Sequence, residues 1–97
     1  MALLDLLGRR WSLRVLWELR AGALSFRALR ERCDAVSPSV LIARLSELRD
    51  VGLVDATDEG YALTAQARAL GELLMPLDAW AQRWASSLGD ETRRKKR

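Results

Sequence analysis

The sequence predicts a mainly α domain with one short β-hairpin and a long C-terminal helix, and three observations carry that expectation. Leu41, Leu45 and Leu48 recur at i, i+4 and i+7 behind a Ser37-Pro38 pair, the pattern of an amphipathic helix with a marked start. Val54-Asp55-Ala56 and Tyr61-Ala62-Leu63 flank Thr57-Asp58-Glu59-Gly60, two strand-like runs joined by turn residues. Farther on, Leu70, Leu73, Leu74, Leu77, Trp80, Ala81, Trp84 and Leu88 keep helical spacing in one long stripe.

Residues 3–7 read LLDLL, a helical turn too apolar to stand alone, expected to pack on a partner subunit or on the last helix before Gly8 breaks it. Residues 9–20 form a helix with Trp11, Val15, Leu16 and Leu19 on one face and Leu13 and Trp17 on the other, which implies central burial. Ala21-Gly22-Ala23 closes it. Ser25 then caps a helix whose apolar face is Phe26, Leu29 and Cys33 and whose polar face holds Arg27, Arg30, Glu31 and Arg32. Asp34-Ala35-Val36 is a break, and Ser37 and Pro38 start the next helix as cap and first residue. Its leucines turn Ser39, Val40, Ala43, Ser46, Glu47 and Asp50 outward, and Gly52 ends it in a left-handed cap. Thr64 caps the last helix. Pro76 lies inside that helix, removing one hydrogen bond and crowding the Glu72 carbonyl, so a kink or two consecutive segments is expected there.

Composition narrows the function. Ninety-seven residues allow one domain with a modest core, a size at which dimerisation is expected. At 49% hydrophobic and 30% charged residues the chain reads as soluble, and no run approaches the roughly 18 apolar residues of a membrane span. The opening MALLDLLGRR lacks the order of a secretory signal, so a cytoplasmic location and no membrane partner are expected. Without histidine the commonest metal ligand and general base are missing, and the lone Cys33 cannot form an internal disulfide. No nucleophile-base pair can be assembled, so neither catalysis nor a metal or cofactor is expected.

The net charge of +3 hides an asymmetry. Arg93, Arg94, Lys95, Lys96 and Arg97 form a basic stretch, and residues 89–97 read as a disordered tail beyond one domain over residues 1–88. Residues 1–32 hold seven arginines against three acids, whereas residues 33–92 hold four against ten. A basic patch on one face, rather than a high total, is what a nucleic-acid binder needs.

The residues Leu7-Gly8-Arg9-Arg10-Trp11, Leu16 to Leu19, Ser25-Phe26 with Leu29, Ser37-Pro38 with Leu41, Arg44-Leu45 with Leu48, Gly52-Leu53-Val54, Tyr61-Ala62-Leu63-Thr64 and Trp80 stand in an order and spacing that resembles the HxlR-type transcriptional regulators. The resemblance runs over residues 6–84. It implies a winged helix-turn-helix fold and a cytoplasmic bacterial regulator, dimeric through its terminal helices, that binds a palindromic operator in double-stranded DNA. An unknown small-molecule effector is compatible with it. Three departures stand out. The wing is shortened to Thr57-Asp58-Glu59-Gly60 and is acidic, where the family has a longer one rich in proline and charge. Ser39, Ile42 and Ala43 occupy positions where the family usually shows Lys, a small hydroxyl residue and Gln. Many members carry a sensing cysteine ahead of the first helix, and none stands there in this sequence.

Candidate site residues follow. For base reading they are Ser37, Ser39, Val40, Ala43, Arg44 and Glu47, with Ser37 and Ser39 bonding phosphate or base edges and Val40 and Ala43 touching thymine methyls. Arg44 is either a guanine or phosphate contact or the partner of Glu47 or Glu31. For phosphate they are Arg9, Arg10, Ser25, Arg27 and Arg30. Leu3, Leu4, Leu7, Leu73, Leu77, Trp80, Trp84 and Leu88 are assigned to a homodimer interface, since the Trp80/Trp84 pair reads as core or interface rather than a stacking site. Cys33 reads as a small buried hydrophobe, or as a redox sensor if exposed. The leading function is a homodimeric, sequence-specific DNA-binding regulator. The competing one is a winged-helix protein-interaction module that has lost sequence reading.

Overall fold

The computed structural model describes the backbone of residues 2–95 and the side chains of residues 3–89. The elements run α1 (Ala2–Leu7), α2 (Ser12–Glu18), α3 (Phe26–Arg32), α4 (Pro38–Asp50), β1 (Val54–Thr57), β2 (Gly60–Leu63) and α5 (Ala65–Lys95). Val15 and Leu16 of α2 and Leu19 at its end meet Leu29 of α3, Cys33 at its end and Leu41, Leu45 and Leu48 from α4 in one buried cluster, closed by Leu6, Val36, Leu53, Val54 and Ala67. Burial of each leucine contributes roughly 1.5–3 kcal/mol, so this cluster is what fixes the mutual angle of α2, α3 and α4.

The helix starts follow their caps. Ser25 Oγ accepts the Ala28 amide at 3.1 Å and Ser37 Oγ accepts that of Val40 at 3.3 Å, each satisfying an orphan donor of the first turn. The break between α3 and α4 puts Asp34 and Ala35 both at φ 57°, in the left-handed region. Thr64 does double duty at the start of α5, where its Oγ1 donates to the Gly52 carbonyl at 2.6 Å and accepts the Ala67 amide at 3.2 Å. The end of α4 and the start of α5 are therefore tied through one hydroxyl.

Two expectations about α2 need correction. It begins at Ser12 rather than at Arg9, because Trp11 stands ahead of it at φ 78° and residues 9–11 turn the chain. Its second apolar side is not centrally buried: Leu13 and Trp17 are exposed, and they line an open groove of about 800 Å³ whose other wall is Leu70, Leu74 and Leu77 of α5.

The hairpin pairs Val54 with Leu63 through Thr57 with Gly60, leaving Asp58 and Glu59 as its tip. A contact absent from the sequence reading anchors it. Leu24, just before α3, exchanges both backbone hydrogen bonds with Tyr61, at 3.0 and 2.8 Å. Gly60 sits beside this bridge at φ 118°, where a Cβ would run into the Leu24 carbonyl, so glycine is required there by space as well as by backbone angle.

Helix α5 is one unbroken element of 31 residues with Pro76 inside it, and it does not split into the two segments considered above. Glu72 and Pro76 both lie on the exposed side of the helix, where water can meet a carbonyl that proline leaves without its helical donor. The helix also continues to Lys95, into the stretch expected to be a tail; the side chains from Asp90 onward and residues 96 and 97 lie outside the described residues. Ala67 and Leu70 pack toward the core and Leu74 is half-buried in the groove wall, whereas Leu73, Leu77, Trp80, Trp84 and Leu88 are exposed and carry the helix away from the body, giving the molecule extents of 56 × 27 × 25 Å.

Candidate nucleic-acid interface

The α3-turn-α4 unit presents α4 as the exposed helix. Leu41, Leu45 and Leu48 hold it to the core, and the opposite side carries Ser39, Ile42, Ser46, Arg49 and Asp50 in the open, with Ser37 and Pro38 exposed at its amino end. The exposed sector is rotated from the one expected. Val40, Ala43, Arg44 and Glu47 are half-buried: Val40 packs on the core, and residues 9–10 meet Arg44 and Glu47.

Arg44 and Glu47 are the centre of that flank. Arg44 Nη2 donates to Glu47 Oε1 at 2.9 Å, its Nη1 reaches the Arg10 carbonyl at 3.5 Å, and its side chain is only 16% exposed. Arg9 Nε stands 3.5 Å from Glu47 Oε2, an ion pair without hydrogen-bond geometry. Of the two readings open for Arg44, the structure adopts the pairing with Glu47. Neither residue points freely toward a groove, and together they fasten α4 to the α1–α2 turn.

The phosphate candidates divide in the same way. Arg30 Nε donates to the Val36 carbonyl at 2.8 Å and so braces the turn before α4. The Ser25 hydroxyl is taken up by its cap. Arg9 and Arg10 stand in the turn before α2 rather than at its first amides; Arg9 meets Glu47, and the Arg10 guanidinium lies 6.0 Å over the Trp11 ring. Arg27 is the most open, 91% exposed with Glu31 one turn away at 3.6 Å. Arg49 was missed by the sequence reading. It is on the exposed side of α4 and makes no ion pair among the described residues. A helical wheel centred on the three leucines would have raised its rank, but only the tertiary contact with residues 9–11 shows that the sector tilts toward Ile42 and Arg49.

The remaining candidates fall elsewhere. Cys33 is fully buried, and burial pushes its thiol above the ordinary value of 9.0 despite the opposing charge of Arg14. Of the α1 leucines, Leu3 and Leu4 are exposed while Leu7 packs on the core of its own chain. Trp80 and Trp84 stack with ring centroids 5.9 Å apart and planes within 7°. No helix among the described residues is long and apolar enough to cross a membrane.

Comparison with known proteins agrees with this architecture. The chain is 31% identical over 87 residues to the uncharacterized HTH-type transcriptional regulator YvaP of Bacillus subtilis, covering 82% of this chain and 81% of that one. It is 26% identical over 88 residues to the uncharacterized HTH-type regulator MJ0925 of Methanocaldococcus jannaschii, covering 87% and 83%. The crystal structure of quinone-bound YodB from B. subtilis superposes with a TM-score of 0.79 at 29% identity, covering 84% of this chain and 93% of that one. The HxlR-like helix-turn-helix profile matches residues 6–88, and the chain belongs to that family of transcriptional regulators.

Proposed function

We propose that the chain is a sequence-specific DNA-binding regulator that acts as a homodimer on an inverted-repeat operator. The observation that carries this reading is the exposed side of α4, a helix held from behind by three leucines and braced at its start by Arg30 and the Ser37 cap, with short polar side chains facing outward. Such a helix can enter a major groove roughly 12 Å wide. Arg10, Arg27 and Arg49 are exposed cations available for phosphate, and the acidic wing tip of Asp58 and Glu59 is kept off the backbone by repulsion. The homodimer is supported by the exposed apolar stripe of α5 together with Leu3 and Leu4 of α1, more apolar surface than a small monomer leaves in water.

Selection of bound sequences from a pool of random duplexes, followed by footprinting, is the direct test. The expected product is an inverted repeat with half-site centres about 34 Å apart, one turn of B-DNA. Two features favour the alternative of a protein-interaction module, the acidic wing tip and the apolar Ile42 on the outward side of α4. A pool from which nothing is enriched would decide for that alternative.

A further inference from the structure

The composition of the reading line is narrow, and this limits what it can recognise. Two long polar side chains in the middle and last turn of α4, Arg44 and Glu47, are bound to each other and to the turn at residues 9–10, so swinging Arg44 out would cost the half-buried Glu47 carboxylate its one hydrogen-bonded cation and leave it only the longer contact to Arg9. Ser39, whose hydroxyl also lies 3.4 Å from that of Ser37, and Ser46 remain, and a serine hydroxyl both donates and accepts, so it discriminates weakly among bases. Between them on the same side stands Ile42, 58% exposed. Its branched side chain contributes little to the core and lowers helix propensity relative to alanine, so neither packing nor local structure accounts for it. The span from Ser39 to Ser46 is about 10 Å at 1.5 Å per residue, the length of about three base pairs. Within the major groove only thymine offers an apolar group, its C5-methyl.

We infer that Ile42 is a specificity-determining residue that packs on the C5-methyl of one thymine in each half-site, with Ser39 and Ser46 bonding the neighbouring base edges and Arg49 on the flanking phosphates. This rests on the DNA-binding reading above and specifies what that reading recognises: half-sites chosen by a methyl group rather than by a bidentate guanine contact.

The test uses the full chain and a duplex taken from the random pool, resynthesised with deoxyuridine replacing each thymine in turn, which removes the methyl and leaves the hydrogen-bonding edge intact. Affinity should fall about fourfold at one thymine per half-site and about fifteenfold when both half-sites are changed, the size of one buried methyl and of two. Ile42→Ala, a change at an exposed helical position, should bind the thymine duplex as weakly as the native chain binds the uracil duplex and should be indifferent to the exchange. An enriched sequence in which no uracil matters, or a uracil penalty that persists in Ile42→Ala, would overturn this inference and leave the DNA-binding reading standing. A pool that enriches no sequence would overturn both.

Discussion

At the scale of single residues, the α3–α4 turn and the cysteine beside it make opposite demands on side-chain size. Ala35 holds φ 57° with a Cβ that glycine would not have. The left-handed conformation costs a non-glycine residue about 1–2 kcal/mol, and the greater freedom of glycine in the unfolded chain returns about 0.4–1. Relief of strain therefore wins, and Ala35→Gly should stabilise by about 0.5–1 kcal/mol in urea unfolding; a net loss would mean that the Cβ makes a contact worth more than the strain. Cys33 is sealed at 0% exposure with a raised thiol pKa. Above the unfolded thiol value the unfolded chain ionises while the folded one keeps its proton, so the folded state binds more protons and loses stability as pH rises through that window. Denaturation between pH 8 and about 10 should show this fall in the native chain and a smaller one in Cys33→Ala. Native protein should also resist a thiol reagent that labels the unfolded chain at once, and rapid native labelling would contradict burial.

At the scale of elements, the hairpin shows what a short wing can and cannot do. Thr57 Oγ1 donates to the Gly60 carbonyl at 2.8 Å and accepts the Glu59 amide at 3.2 Å, so the tip is closed by its own side chain and presents only Asp58 and Glu59. Replacing both acids by serine should leave operator affinity unchanged or raise it by up to about 1 kcal/mol at low salt, an effect that fades as salt screens it. A loss of binding would place DNA on the hairpin instead of α4. What was legible in the sequence is what local chemistry decides: the Ser25 and Ser37 caps, the leucine period of α4, the Thr64 cap and the hairpin register all follow from residues within a turn or two of one another. What was not legible is set by partners distant in the chain. The Leu24–Tyr61 bridge joins residues far apart in the chain, and the turn of residues 9–11 against α4 draws Glu47 from the open side onto the flank beside Arg44. The late start of α2 has the same origin, since a left-handed tryptophan has no signature in the periodicity of apolar residues. Pro76 left a kink or a split both open in the sequence, and the helix is not split, because an exposed proline costs a long helix one hydrogen bond without ending it.

At the scale of the whole molecule, the two ends of α5 live in different surroundings. Its first turns are held by Thr64 and Ala67 against the domain, while beyond residue 75 every described apolar side chain except Ala81 is exposed. Sedimentation at micromolar concentration should report a dimer, and Trp84→Glu, which places a charge in the exposed stripe, should shift the mass to that of a monomer. A dimer that survives this change would move the interface off the outer half of the helix. The projection of α5 also ties local order to the amount of protein present. An isolated helical segment of this length is marginal in water, because nucleation is costly and propagation alone barely repays it. In a single copy the outer half of α5 should fray, and pairing with a second copy should restore it, so that association and helix formation become one event governed by mass action. Serial dilution should then lower the far-ultraviolet helix signal and the thermal midpoint together, while the buried cluster around Leu41 and Leu45 keeps its protection from hydrogen exchange.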